Sequence, residues 1–381
     1  MLGRMAASWQ GCRGRPAMNR SFRPMNDVSV DRSRRVRPQL EYPCGEPPAP
    51  GAATEVAPGV LWLRMPLPFA LAAINLWAIR DGERWTIVDT GIQTPDTAAA
   101  WRTALAGPMA GLPVSRVVVT HMHPDHIGMA GWLLRKFPDA ALWMTKLEYL
   151  NCRVLVADTG REAPDDGIRF YRRAGWGEDA IEYYRTRFGG FGKSTYKIPD
   201  SFRRIREGDE LTIGEHRWRV VVGNGHSPEH ACLHCPELRL LISGDQVLPR
   251  ISSNVSVFPT EPEADPLGDW LSSLARIRRE VPDDVLVLPA HNEPFRGLHA
   301  RLDDLIRGHE IGLERLRRSL RDRRCRAIDV FGALFARRIE GDQHLLGMAT
   351  GESLAHLNYL VARGEAVVEL DDQGVNWYRA A

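Results

Sequence analysis

The 381 residues include 44% hydrophobic and 26% charged side chains and carry a formal net charge of +2. That composition suits a globular chain of two or three domains at about 100–200 residues each, and it excludes a wholly disordered or collagen-like chain. No run of about 18 apolar residues occurs. The longest uncharged stretch, 65–79, holds Pro66 and Pro68, so no membrane span is expected.

The charge is unevenly spread. Residues 1–50 hold nine Arg against four acids, residues 301–381 balance, and the middle is mildly acidic. This is not a uniformly basic nucleic-acid binder. Six scattered cysteines are too sparse for a disulfide framework in a chain this long. Cys232 and Cys235 fall on an expected strand, where positions three apart point to opposite faces. They read as buried small side chains rather than a redox or zinc pair. With no apolar signal-peptide core, the expected compartment is the cytoplasm.

Residues 1–55 form a basic, Pro-rich stretch without hydrophobic periodicity, expected to be a disordered arm. Short β runs follow at 60–63, 74–79 and 85–88, with Asp81 and Gly82 marking a turn. A helix is expected over 94–105, with Thr94 as N-cap and Pro95 in its first position. A strand at 117–120, a helix at 128–137 and a strand at 141–144 continue an alternation that indicates a layered α/β fold.

Residues 146–200 break the rhythm with helically spaced Ile168, Tyr171, Ile181, Tyr184 and Phe188. They read as a helical insertion lying over a site. Its aromatics, among them Tyr149, Phe170 and Trp176, either roof an apolar pocket or form ordinary core. Strands return at 218–222, 240–243 and 285–288, with a helix over 266–280. Residues 301–381 read as a separate winged-helix-like module: helices at 301–320, 327–335 and 351–363, then a hairpin turning near Gly374.

The chemistry concentrates in Thr120, His121, Met122, His123, Pro124, Asp125 and His126, between a strand and a helix. Three imidazoles and a carboxylate within six residues do not make a core, because each needs a polar partner. On a strand-to-helix turn they splay toward two neighbouring points, which suits two metal ions. His226, Asp245 and His291 stand just beyond later strands, where open α/β sheets place their sites.

Over residues 56–298 the sequence resembles the metallo-β-lactamase superfamily, through its H-x-H-x-D-H motif, the later His226, Asp245 and His291, and Asp89 at an early strand end. The resemblance implies an αββα sandwich of two mixed sheets, with the catalytic domain over 56–300. It implies one metal on His121, His123 and His226, a second on Asp125, His126 and His291, and Asp245 bridging both. Asp89 would orient the ligand loop from behind. His230, four residues after His226, either supports a ligand, touches substrate or is a plain hydrogen-bonded histidine. The implied cofactors are two divalent ions, zinc by default, with iron or manganese also suited to these ligands.

The implied activity is hydrolysis of an ester, thioester or lactone of a small molecule, by hydroxide formed between the ions. Asp125 and Asp245 would take part in the chemistry, and a homodimer would follow family habit. Three positions depart from particular branches. Asp245 stands where antibiotic-cleaving members often carry Cys. Glu229 replaces a Gly of glyoxalase-II-like thioesterases, and Leu248 replaces a Tyr of quorum-signal lactonases.

Two alternatives use related sites. An endoribonuclease branch also carries a C-terminal module, and Arg315, Arg317, Arg318, Arg321, Arg323, Arg324 and Arg326 could track phosphates. An iron-dependent sulfur oxygenase would use fewer of the second-site ligands. The neutral module and the complete second ligand set favour the dinuclear hydrolase.

Overall fold

The computed structural model describes residues 38–68, 71–336, 339 and 341–381. Most of the expected arm, residues 1–37, lies outside the described residues. The first sheet runs in the order β1 (Ala53–Ala57), β2 (Val60–Pro66), β3 (Ala73–Arg80), β4 (Trp85–Val88), β5 (Val114–Val118), β6 (Ala141–Met144), β7 (Arg203–Arg204). It is antiparallel through β4 and parallel from β4 to β7. The second sheet comprises β8 (Glu210–Ile213), β9 (His216–Gly223), β10 (His230–Cys235), β11 (Leu240–Gly244) and β12 (Leu286–Pro289), in the order β12-β11-β10-β9-β8. Only its β11–β12 pair is parallel.

Strand alternation builds four layers. Trp62, Trp77, Ile79, Val88 and Val118 of the first sheet meet Trp218, Val220, Leu233, Ile242 and Leu288 of the second in one inner core. The alternate residues Leu63, Met65, Leu76, Ile87 and Val117 face outward, against helices α1 (Pro95–Ala106), α3 (Ala130–Lys136) and α4 (Lys146–Ala157). On the far side Val221, Cys232, Leu241 and Val287 pack under α7 (Pro266–Glu280), α8 (Leu298–Asp322) and α10 (Gln343–Ala362). The fold is thus the αββα sandwich that the resemblance implied. The short strands read as continuous apolar runs because both of their faces are buried. Cys232 and Cys235 lie in the outer and inner cores respectively, as positions three apart on a strand must.

Local signals set several boundaries. The Thr94 hydroxyl accepts the Thr97 N–H at 3.1 Å and Pro95 opens α1, while Trp101 Nε1 donates to the Thr90 carbonyl at 2.7 Å. α7 spans the expected residues, capped by Asp265. The 146–200 region holds α4, α5 (Asp165–Arg173), α6 (Glu178–Arg187) and a short 3-10 turn. Its aromatics largely join the core: Tyr149 stacks on Phe202 at 4.0 Å, and Trp176 donates to the Thr350 hydroxyl at 2.9 Å.

Three expectations differ from the structure. Residues 38–55 are anchored rather than loose: β1 pairs with β2, and the Glu41 N–H bonds the Arg296 carbonyl. Main-chain pairing does this, and it leaves no side-chain periodicity to read. α8 passes straight through the expected boundary at 300–301, because Gly297 in the left-handed region starts the helix earlier. α10 begins eight residues before the expected start, where the Asp342 carboxylate accepts the His344 and Leu345 N–H groups. Beyond α8 come a 3-10 turn, α9 (Phe331–Leu334), α10 and the hairpin of β13 (Ala366–Leu370) and β14 (Asn376–Ala380). Among the described residues no helix is long and apolar enough to cross a membrane.

Candidate metal centre

The strand ends converge at one edge of the sandwich. Asp89 follows β4, His121 and His123 follow β5, and Asp125 and His126 lie on the single turn α2 (Pro124–Ile127). His226 follows β9, Asp245 follows β11 and His291 follows β12. Two glycines make the later approaches possible. Gly225 (φ +102°) and Gly244 (φ +49°) are left-handed; a Cβ on them would lie 2.5 Å from the Pro266 carbonyl and 2.6 Å from the His230 ring.

All seven expected ligands come together, in overlapping groups: His121, His123 and His226; His121, His126 and Asp245; Asp125, His126 and His291. His121 Nε2 lies 2.9 Å from His123 Nδ1 and 3.3 Å from His226 Nε2. Asp245 stands between the triads. Its Oδ2 is 3.5 Å from His226 Nε2, and its Oδ1 is 3.6 Å from His126 Nε2 and 3.5 Å from His291 Nε2. Asp125 Oδ2 lies 3.3 Å from His291 Nε2.

The outer ring nitrogens explain why lone pairs point inward. His226 Nδ1 donates to the Asn254 carbonyl at 2.7 Å and His291 Nδ1 to the Ala73 carbonyl at 3.2 Å. His126 Nδ1 donates to Asp89 Oδ2 at 2.8 Å, and His121 Nδ1 reaches the Thr120 hydroxyl at 3.1 Å. With Nδ1 held outside, each ring turns its Nε2 toward the centre, where it can serve as a ligand. Inward ring nitrogens this close either share a proton or hold a cation between them. His126 Nε2 and Asp245 Oδ1 are buried with no hydrogen-bond partner. Orphaned donor atoms of this chemistry, carboxylate beside imidazole, fit divalent metal ions.

The electrostatics separate the two triads. Burial and the neighbouring His126 and His123 rings hold His121 well below the ordinary imidazole value; burial and His226 push His123 down to about 3. Burial also opposes charge on His126, but Asp89, Asp125 and Asp245 outweigh it and raise that ring. His291 is raised in the same way by Asp245 and Asp125. Both carboxylates are lowered despite burial, Asp125 chiefly by His126 and Asp245 chiefly by His291.

Supporting residues complete the centre. Asp89 adopts φ +62°, and its carboxylate accepts the Thr120 N–H at 2.8 Å and the Thr120 hydroxyl at 2.9 Å. His230 is fully buried, which removes it from substrate contact. Its Nε2 accepts the Asp245 N–H at 3.0 Å, and its ring stacks on His121 at 4.8 Å. Sequence reasoning missed Asn75, Glu148, Asn254, Arg301 and Glu352. Asn75 Nδ2 donates to the Pro289 and Asn292 carbonyls, at 2.9 and 2.6 Å, and so clamps the His291 loop. Buried Glu148 accepts the Met122 and Glu229 N–H groups, joining the loops of His123 and His226. Asn75 interrupts an apolar strand, a signal that could have flagged it; Glu148 shows none.

A family model described as the metallo-beta-lactamase superfamily matches residues 71–291, and a metallo-beta-lactamase-like C-terminal domain model matches 313–381. The chain belongs to the metallo-beta-lactamase superfamily. It is a metallo-hydrolase, of a fold that implies divalent metal use. A probable metallo-hydrolase, YqjP of Bacillus subtilis, is 27% identical over 318 residues, 80% of this chain and 92% of that protein. An acyl-coenzyme A thioesterase, MBLAC2 of Gallus gallus, is 25% identical over 62% of this chain and 79% of its own length. A solved beta-lactamase domain protein from Burkholderia ambifaria is 43% identical, covers 90% of this chain and 98% of its own, and has a TM-score of 0.82.

Within this superfamily, the departure at Glu229 has a structural account. The Glu229 carboxylate accepts the Leu147 N–H at 2.8 Å, and its carbonyl accepts the Thr145 hydroxyl at 2.7 Å. It caps α4 and fastens the helical segment beside His230. At Leu248 the carbonyl accepts Arg301 Nε at 2.6 Å, so this position serves α8 rather than substrate.

Proposed function

We propose that this chain is a dinuclear thioesterase that hydrolyses a small acyl thioester with an apolar acyl group. The observation that carries the reading is Asp245, whose two oxygens face different triads. Two divalent ions held there would lower the pKa of a shared water toward neutrality and polarise the substrate carbonyl. The chain's own residues do the rest. Asn254, Ala73, Asp89 and Thr120 hold four rings in the metal-facing tautomer. Asp125 is the most open carboxylate, with 19% of its side chain exposed against 11% for Asp245. It is placed to take a proton from the attacking water and pass it out. A thiolate leaves without full protonation, because an ordinary thiol pKa is about 8.5.

Four exposed apolar side chains support an apolar acyl group. Leu71, Leu147, Ile251 and Met348 are all exposed. Leu71 lies two residues from Ala73, which holds His291; Leu147 bonds Glu229; Ile251 lies on the Asp245 loop; the Met348 carbonyl contacts Asn254. Exposed apolar side chains on the segments that carry or brace a polar centre suit a ligand with both characters. The chicken relative's thioesterase name points the same way.

RNA is disfavoured by pairing within the chain. Arg317 bonds Glu365, Arg318 bonds Glu314 and Arg326 bonds Asp329, while Arg324 lies over Trp377. The test is a screen of metal-reconstituted protein against acyl thioesters, lactones, aryl esters and single-stranded RNA. Thioester turnover that rises with acyl length and vanishes in His123→Ala is expected. Salt-sensitive RNA cleavage without thioester turnover would sink the reading.

A further inference from the structure

The segment leaving β11 carries Asp245 and ends at Asn254, whose carbonyl holds His226. Two C-terminal helices grip this one loop. From α8, buried Arg301 donates Nε to the Leu248 carbonyl at 2.6 Å and Nη2 to the Ile251 carbonyl at 2.7 Å, and it pairs with Asp304 at 2.6 Å. From α10, the Glu352 carboxylate accepts Asn254 Nδ2 at 2.8 Å, and the Gly351 carbonyl accepts the Val257 N–H at 3.1 Å. Ser256 Oγ contacts Asn254 Oδ1.

Asn254 therefore faces two ways. Its side chain is fixed by α10, and its backbone carbonyl selects the His226 tautomer. Moving that carbonyl would free the His226 ring to rotate or to switch its proton to Nε2, which removes it as a ligand. A loop shift would also cost the Arg301 guanidinium two carbonyl acceptors and the half-buried Glu352 carboxylate its Asn254 donor, which keeps the clamp closed.

We propose that Glu352, acting through Asn254, is a positioning residue for His226, so that the C-terminal helices are part of the metal centre. This rests on the metal-centre reading above. Glu352 touches no candidate ligand; it acts through the loop. Truncating it is expected to weaken the ion on His121, His123 and His226 by about 10–100-fold, the usual effect of losing a residue that orients a ligand. The ion on Asp125, His126 and His291 should change far less.

The experiment titrates full-length protein with Zn²⁺ against a chromophoric chelator and records Co²⁺ spectra, for wild type, Glu352→Ala, Glu352→Gln and Leu360→Ala. Gln keeps an acceptor for Asn254 Nδ2 and should restore affinity. Leu360 is buried on the same helix, eight residues beyond Glu352, so Leu360→Ala reports plain destabilisation. Selective loss of one ion in Glu352→Ala, with rescue by Gln and none of the loss in Leu360→Ala, supports the proposal. Wild-type binding in Glu352→Ala, or the same loss in Leu360→Ala, overturns it. A wild type that holds one ion, still weakened by Glu352→Ala, sinks the dinuclear reading and leaves this one standing. A wild type that binds no ion overturns both.

Discussion

The two halves of the candidate centre are built by different means. In the first half the candidate ligands, His121 through His126, are neighbours in sequence. One turn places four candidate ligands, and Thr120 and Asp89 order two of them from behind. The second half is assembled from single residues at distant strand ends. His226, Asp245 and His291 each depend on a group from a different segment: Asn254, His230 and Ala73. A compact motif tolerates loop shifts because its members move together. The dispersed half needs every clamp, so its ligands should be the more sensitive to changes that never touch metal.

Removing a ligand from either half tests the floor of that comparison. His123→Ala and Asp245→Ala each delete a group from a site that supplies several kcal/mol of transition-state stabilisation. Turnover of the best thioester should fall about 10³-fold or more. Metal content should separate them: Asp245→Ala loses both ions because it faces both triads, whereas His123→Ala keeps one. Elemental analysis giving equal losses would break the bridging role.

One step out, Asp89→Ala removes the acceptor for His126 Nδ1 and both bonds to Thr120. An expected loss of about 10–100-fold in affinity should fall mainly on the ion bound by His126. Asn75→Ala should do less to activity and more to stability. It leaves the Pro289 and Asn292 carbonyls without their side-chain donor, at a cost of about 1–3 kcal/mol. Thermal unfolding should register it, together with weaker binding at the His291 side. If Asn75→Ala is silent while Asp89→Ala is not, the dispersed half is sturdier than its wiring suggests.

This contrast also marks what could be read from sequence. The H-x-H-x-D-H turn was legible because its residues are neighbours and cannot be core. Thr94 with Pro95, and Asp265 with Pro266, carry their boundaries in side-chain chemistry. The Glu352–Asn254 clamp was not legible, since both residues have ordinary neighbours and meet only across about a hundred residues. Arg301 is the partial exception. It lies on the apolar face between Leu298 and Leu305, where a lone guanidinium must find partners. β1 escaped because main-chain pairing leaves no periodic trace.

The smallest effect concerns the clamp's own cost. Burial pushes the Glu352 carboxyl up to about 7 from an ordinary 4.5. Between those values the folded chain holds a proton that the unfolded chain has released, so this group lowers stability as pH rises through the window. Neighbouring His356 is pushed down to about 4 by burial, from 6.5. Its contribution runs the other way, and stability is lost as pH falls through its own window. The two slopes oppose one another where the windows overlap. Glu352→Gln removes one of them. Its thermal midpoint should exceed wild type by roughly 2 °C near pH 8, with the gain gone near pH 5, where the native carboxyl is protonated as well. A gain that persists unchanged at about pH 5 would mean that packing, not ionisation, sets the cost of holding Asn254 in place.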